Sequence, residues 1–264
     1  MSAAPPTRRL TPRRVAGAVV RRIPRRPFVY LLPYRPLRPL VRFWVSSVGA
    51  HPDSRLAARR VLEIYQDVYE QLDRAAIRYD GGVHAKHRLM GYHDFFVERV
   101  RPGERVLDVG CGKGELAADL VERAGATVVG VDFDPWMLDF ARTRFSRPGL
   151  TFVEANVTAD LPEGPFDVVV LSNVLEHVED RVDLLRRLVD TARPGRVLIR
   201  VPILDRDWTV PLRRELGLPY FSDPGHFTEY DPESLHGELA QAGLEVDELR
   251  QVWGELWVAA RPGR

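Results

Sequence analysis

At 264 residues, 45% of them hydrophobic, the chain is long enough to bury the core of one large α/β domain. Its net charge of +1 conceals an asymmetry, because residues 1–50 hold eleven arginines and no lysine or acid, leaving −10 on residues 51–264. A mildly acidic body argues against an enzyme that grips nucleic acid along its whole face, and the single cysteine, Cys111, excludes an internal disulfide.

Residues 1–52 form a basic arm. Prolines at 5, 6, 12, 24, 27, 33, 36 and 39 predict extended or disordered backbone in place of a regular helix. Arg13 and Arg14 precede an apolar run, Val15 to Val20, that is too short for a secretion signal. No segment has the ~20 apolar residues that span a bilayer, so a reducing cytoplasm is the expected compartment. Phe28, Tyr30, Leu31, Leu32, Tyr34, Leu37, Leu40, Phe43 and Trp44 are interleaved with the arginines. That mixture suits peripheral contact between residues 1–50 and an anionic membrane, at the inner surface. A tail that stays disordered or packs on a partner subunit, and contact with nucleic acid, are the alternatives.

Residues 53–100 read as a helical cap. From Asp53 or Ser54 to Ala76, Leu56, Val61, Leu62, Ile64, Tyr65, Val68, Tyr69 and Leu72 fall on one broad face, and Gly81–Gly82 ends the pattern. Three histidines follow, His84, His87 and His93, beside Lys86 and with Asp94 as the lone acid. Without cysteine or a second carboxylate they make a poor metal site. A helix over 84–96 is expected to cap a pocket and lend polar groups to a substrate.

From residue 101 to 264 strands alternate with helices: strands at 105–109, 127–132, 150–155, 166–171 and 195–201, helices at 114–124, 135–145 and 180–191. Helix 232–242 and strands 244–252 and 255–260 close the chain. Seven strands in this alternation predict a doubly wound, mostly parallel sheet with helices on both faces. Ligands of such sheets bind beyond the carboxyl ends of the strands. The long connection 202–230, rich in aromatics and proline, is read as a lid.

The chemistry concentrates where the first strand ends. Val106–Leu107–Asp108–Val109 runs into Gly110, Cys111, Gly112, Lys113 and Gly114, and Glu115 opens a helix. Glycines let backbone N–H groups and a helix N-terminus approach a ligand closely. The spacing is not the dinucleotide fingerprint, since Glu115 occupies its last glycine position. The acid Asp108 favours a cationic ligand over a pyrophosphate. A second strand ends in Asp132, placed to accept hydrogen bonds from ribose hydroxyls, and Asp134–Pro135 is a helix start.

These motifs resemble those of the class I S-adenosylmethionine-dependent methyltransferases, a superfamily with a Rossmann-like seven-stranded sheet. Its glycine motif resembles Val106 to Gly114, its ribose-binding acid matches Asp132, its adenine-side residue matches Asn156, and its fourth motif is similar to Phe166–Val178. The resemblance covers roughly residues 88–260. It implies S-adenosyl-L-methionine as cofactor, held by Asp108, Gly110, Cys111, Gly112, Gly114, Asp132, Phe133, Trp136, Met137, Asn156, Val157, Ser172 and Asn173, with Trp136 and Met137 on the adenine faces. Cys111 is read as a small filler, because no base stands beside it in sequence.

His226, within the lid, and His177 are the candidate general bases, since histidine titrates near neutrality. Asn173, Glu176, His177 and His226 also resemble the metal ligand set of small-RNA 2′-O-methyltransferases, but Asn173 replaces a carboxylate there, and no metal is assigned. Ser172–Asn173–Val174–Leu175 lacks the Pro-Pro string of the enzymes that methylate exocyclic amines of nucleic acids. The expected acceptor is therefore a small or medium molecule, with a hydroxyl on a saccharide, lipid-linked or natural-product intermediate. Two rivals stand beside this: RNA methylation anchored by the arm, and a non-catalytic cofactor-binding subunit.

Overall fold

A computed structural model describes residues 34–221, 223 and 225–263. The expectations for residues 1–33, including Arg13–Arg14, Phe28 and Tyr30, lie outside the described residues. Contacts divide the chain into two units, residues 1–64 and 65–264, where the sequence suggests boundaries near 52 and 100.

In the first unit, residues Tyr34–Gly49 form a helix, α1, which corrects the expectation of an extended arm at these positions. Pro36 lies among the first four residues, whose N–H groups have no intrahelical acceptor in any helix, and Pro39 deletes a single bond. Helix α2 (Ser54–Tyr79) begins where Asp53 Oδ1 accepts the Leu56 N–H at 3.0 Å. Its C-terminal part belongs to the second unit. Among the described residues no helix is long and apolar enough to cross a membrane.

The second unit is built on a seven-stranded sheet in the order β3-β2-β1-β4-β5-β7-β6. Its strands are β1 (Arg105–Val109), β2 (Thr127–Asp132), β3 (Leu150–Glu154), β4 (Val168–Ser172), β5 (Arg196–Pro202), β6 (Leu244–Val252) and β7 (Glu255–Pro262). The first five pair in parallel, and β7 runs antiparallel to both β5 and β6. The inner parallel strands β1, β2, β4 and β5 are mostly apolar on both faces because both faces are covered, whereas the edge strand β3 fully buries only Phe152. Within β4, Val169 and Leu171 enter one core with helices α7 (Arg181–Ala192) and α9 (Pro232–Gln241). Val168 and Val170 enter the other, with α4 (Tyr92–Val97), α5 (Glu115–Ala124) and α6 (Pro135–Arg144). The chain leaves β1 toward β2 and β3, then returns to β4 on the opposite side. That reversal opens a crevice at the carboxyl ends of β1 and β4.

Three local readings change. The 84–96 segment is not one helix but two, α3 (Ala85–Met90) and α4, separated by Gly91 in the left-handed region at φ 62°. The fourth strand starts two residues later than expected, because the Asp167 carboxylate accepts the Arg105 N–H at 2.7 Å and ends the approach to the sheet. The 202–230 connection contains a helix, α8 (Thr209–Glu215), and is tied at its base by a bridge between Ile203 and Tyr230.

Candidate active site

Beyond β1 the chain turns through Gly110, Gly112 and Gly114, all with positive φ. At Gly114 two requirements coincide: φ is 77°, and a Cβ would stand 2.6 Å from the Phe152 ring. The Cys111 N–H donates to Val131 O at 2.9 Å and the Gly112 N–H to Asp132 Oδ2 at 2.8 Å, so the loop is pinned to β2. Beneath it lies Asp108, 2% exposed, with Oδ2 lacking any hydrogen-bond partner. Burial, with Asp132 nearby, pushes its carboxyl up to about 7. An orphaned buried acid calls for a partner, and the ammonium of an amino-acid ligand is of the right charge. Burial pushes the Cys111 thiol above its ordinary range, which fits a packing role.

Asp132 performs a second task besides the one expected of it. Its Oδ1 accepts the Asp134 N–H at 3.0 Å, and Asp134 in turn caps α6 through the Trp136 N–H. Each Asp132 oxygen keeps a further lone pair for a ribose hydroxyl. Phe133 and Trp136 are exposed and Met137 is half-buried, so the Trp136 ring is not an ordinary buried helix face. Asn156 and Val157 follow β3 as expected, but Asn156 Oδ1 accepts both the Thr158 N–H (3.1 Å) and hydroxyl (2.7 Å). Its oxygen is thus engaged in its own turn, and an adenine amino group would have to displace Thr158.

At the end of β4, Ser172 Oγ accepts from Arg200 at 3.2 Å. Asn173 takes φ 57°, with its N–H on Arg200 O and its Oδ1 buried without a partner. A short turn, Leu175–His177, then buries Glu176 completely. Neither oxygen of Glu176 has a hydrogen-bond partner, and burial raises its carboxyl to about 7. Glu176, His177 and His226 present ligand atoms within 4.8 Å of one another. The two imidazoles meet edge to face at 4.4 Å. His177 Nδ1 lies 3.3 Å from Gly225 O, and His226 Nδ1 lies 3.2 Å from Glu229 Oε1. The lid is joined to this turn by the Phe227 N–H, which donates to Glu176 O at 2.8 Å. Folding therefore unites the two histidines that sequence separates by 49 positions. A carboxylate and two imidazoles form a donor set that fits a divalent cation. The arrangement equally suits a base oriented by Glu229. The His84–His93 group contains no such cluster: His84 bonds Asp73, His93 bonds Asp119, and burial with Arg200 lowers His87 to about 4.

Sequence reading missed a buried arginine–glutamate pair. Arg200 and Glu255 bond at 2.6 and 3.1 Å with side chains 4% and 9% exposed. The Arg200 guanidinium lies 3.7 Å over the Tyr92 ring, and Trp257 Nε1 donates to Glu255. The available signal was an arginine inside Val197–Val201, a run that otherwise reads as fully buried strand.

A doubly wound sheet, a glycine turn over an orphaned acid, and the Asp132 carboxylate at the end of the neighbouring strand suit a nucleoside cofactor bearing an amino-acid group. Residues 82–249 match a family model described as a methyltransferase domain, and the chain belongs to this family of S-adenosylmethionine-dependent methyltransferases. It is 32% identical over 198 residues to a trans-aconitate 2-methyltransferase of Methylobacterium nodulans, a match covering 65% of this chain and 72% of that one. It is 44% identical over 94 residues to an uncharacterized methyltransferase of Mycobacterium tuberculosis, covering 35% and 47%. The chain thus spans about half the length of several curated relatives that it matches. Among solved structures, magnesium protoporphyrin IX methyltransferase from Synechocystis with bound SAH superposes with TM-score 0.55 at 19% identity, covering 66% and 83%. A TehB-like SAM-dependent methyltransferase from Corynebacterium glutamicum superposes with TM-score 0.51 at 20% identity, covering 76% and 100%. At these identities the two structures attest the fold.

Proposed function

We propose that the chain transfers a methyl group from S-adenosylmethionine to an oxygen of a small acceptor lying between β4 and the 202–230 segment, with His226 as general base. The observation that carries this reading is the Glu176–His177–His226 cluster at the mouth of the switch point. The cofactor supplies an already activated methyl, so the protein has mainly to align the acceptor and take its proton. Alignment is worth up to ~7–11 kcal/mol, and a positioned base about 10²–10⁴-fold. Asp108 and the Gly110–Gly114 backbone hold the methionine end, Asp132 the ribose, and Phe133, Trp136, Met137, Asn156 and Val157 surround the adenine. Ser172 and Asn173 border the methyl.

The names of the trans-aconitate 2-methyltransferases favour a small organic acid over the saccharide or lipid-linked acceptor suggested by sequence. They also raise a second reading, in which a carboxylate oxygen accepts the methyl and no base is needed. One substitution separates the two. With hydroxyl acceptors, His226→Gln lowers kcat by about 10²–10⁴ while leaving S-adenosylhomocysteine affinity unchanged. Unaltered turnover of every accepted substrate removes His226 from the chemistry and leaves the carboxylate reading.

We further infer that α1 attaches the enzyme to an anionic membrane surface. Arg35, Arg38 and Arg42 share one face of this helix, while Leu37, Leu40, Val41, Trp44 and Val48 share the other. Leu40 and Trp44 are exposed. Three arginines at about 1 kcal/mol each, with an apolar face to insert, support reversible binding. The full chain should sediment with anionic vesicles at low salt and be released by salt. The Arg35→Gln/Arg38→Gln/Arg42→Gln triple variant should sediment markedly less, and equal sedimentation of both proteins would overturn the assignment.

A further inference from the structure

A cavity of about 440 Å³ lies beside the cluster and contains no residue of the glycine loop. Its volume is within the usual ~300–1,000 Å³ of small-ligand pockets. Tyr69, Lys86, Arg206, Arg213, Phe221 and Trp253 are among the residues that line it. It adjoins the site just described at two places. The Phe221 ring stands 6.4 Å from that of His226. On the other side, Lys86 feels the charge of Arg200, the residue bonded to Ser172.

The charges on its wall are unequally matched. Arg206 bonds Glu229 at 2.6 Å and two backbone carbonyls. Asp207 accepts the Thr209 N–H at 2.7 Å, and Asp73 bonds His84 at 3.1 Å. Lys86 makes no side-chain hydrogen bond or ion pair with any described residue. Its side chain is exposed at the cavity wall, where the repulsion of Arg200 is countered by the charges of Glu255 and Asp73, and the ammonium is open to a ligand. The residue type adds to this. The chain contains 36 arginines and only two lysines, Lys113 in the glycine loop and Lys86 here. A lysine is a point charge on a flexible stem, able to swing its ammonium onto an anion in the cavity.

We infer that this cavity seats the acceptor, and that the acceptor carries an anionic oxygen-acid group, carboxylate or phosphate, that docks on Lys86. Its apolar or planar part lies against Tyr69, Phe221 and Trp253, which brings the far end to His226. This inference rests on the methyl-transfer reading and names the substrate class for it.

Having only two lysines makes a direct test possible. The full chain, saturated with S-adenosylhomocysteine, is acetylated with an N-hydroxysuccinimide ester at pH 8, and peptide mass spectrometry follows Lys86 and Lys113 separately. Citrate, glycerol 3-phosphate and neutral glycerol serve as the probes. Coverage of the amine slows acetylation by the factor 1 + [L]/Kd, about tenfold at ten times Kd. The expected result is slowed labelling of Lys86 with citrate or with glycerol 3-phosphate, no effect of glycerol, and a constant rate at Lys113. Which anion protects distinguishes carboxylate from phosphate. Calorimetric binding of the protecting anion should be lost in Lys86→Met and retained in Lys86→Arg. Labelling of Lys86 that is indifferent to both anions, or equal protection by glycerol, overturns the inference. Failure of S-adenosylhomocysteine itself to bind strikes the methyl-transfer reading instead.

Discussion

Asp108 offers a test of cofactor recognition that can be worked through in numbers. Its carboxyl is pushed up to about 7 by burial and by Asp132, and its Oδ2 has no partner. A cofactor ammonium placed against it favours the carboxylate, so binding below neutrality must expel a proton. The apparent Kd then follows 1 + 10^(pKa − pH). With a pKa of about 7, affinity falls about fivefold from pH 7 to pH 6 and nearly tenfold over the next unit, close to 1.4 kcal/mol per pH unit. Calorimetry of S-adenosylhomocysteine in buffers of different ionisation enthalpy should show release of about one proton at pH 6. Asp108→Asn removes the titrating group. It should bind more weakly at pH 7, and its affinity should no longer depend on pH between 5 and 7. A wild-type Kd constant within about twofold over that range, or an Asn variant with the same slope, would refute the reasoning.

Two further outcomes concern the framework. Gly114→Ala combines a left-handed φ with a Cβ 2.6 Å from Phe152, whereas Gly112→Ala meets the φ penalty alone, with nothing within 4 Å. Denaturant melts should show about 2–5 kcal/mol lost at Gly114 and about 1–2 kcal/mol at Gly112, and equal losses would discount the packing contact. Glu255→Leu strands the buried Arg200 guanidinium, which should lower stability by about 3–5 kcal/mol, roughly 10 °C in Tm for a unit of this size. Adding Arg200→Met should restore most of that. A double variant less stable than either single one would show that the pair is a net source of stability and not merely a matched charge.

The framework of this protein was legible in its sequence because the decisive signals are local. A buried parallel strand must be apolar on both faces, a tight strand-to-helix turn needs positive φ, and a helix start needs a cap. Val106–Gly114, Thr127–Asp132 and Asp134–Pro135 each satisfy one of these within a few residues. The periodicities therefore placed all seven strands, and the glycine turn with Asp108 and Asp132 marked the end of the sheet where the crevice opens. Local rules misjudged α1, where proline spacing was read without regard to the unpaired N–H groups that any helix start tolerates. They also missed the break at Gly91.

What only the tertiary structure decided is the grouping of Glu176, His177 and His226 at the proposed acceptor end. Glu176 and His226 lie 50 positions apart, and no periodicity links a turn after β4 to a lid segment. Their meeting depends on Phe227 bonding to Glu176 O, and on Glu229 setting the His226 ring. Arg200 and Glu255 face each other only because β7 inserts antiparallel beside β5, and Lys86 gains its meaning only from the cavity around it. Polar groups are matched through space, by whichever partner the packed chain brings within about 3 Å, so sequence could supply these residues but not their partners.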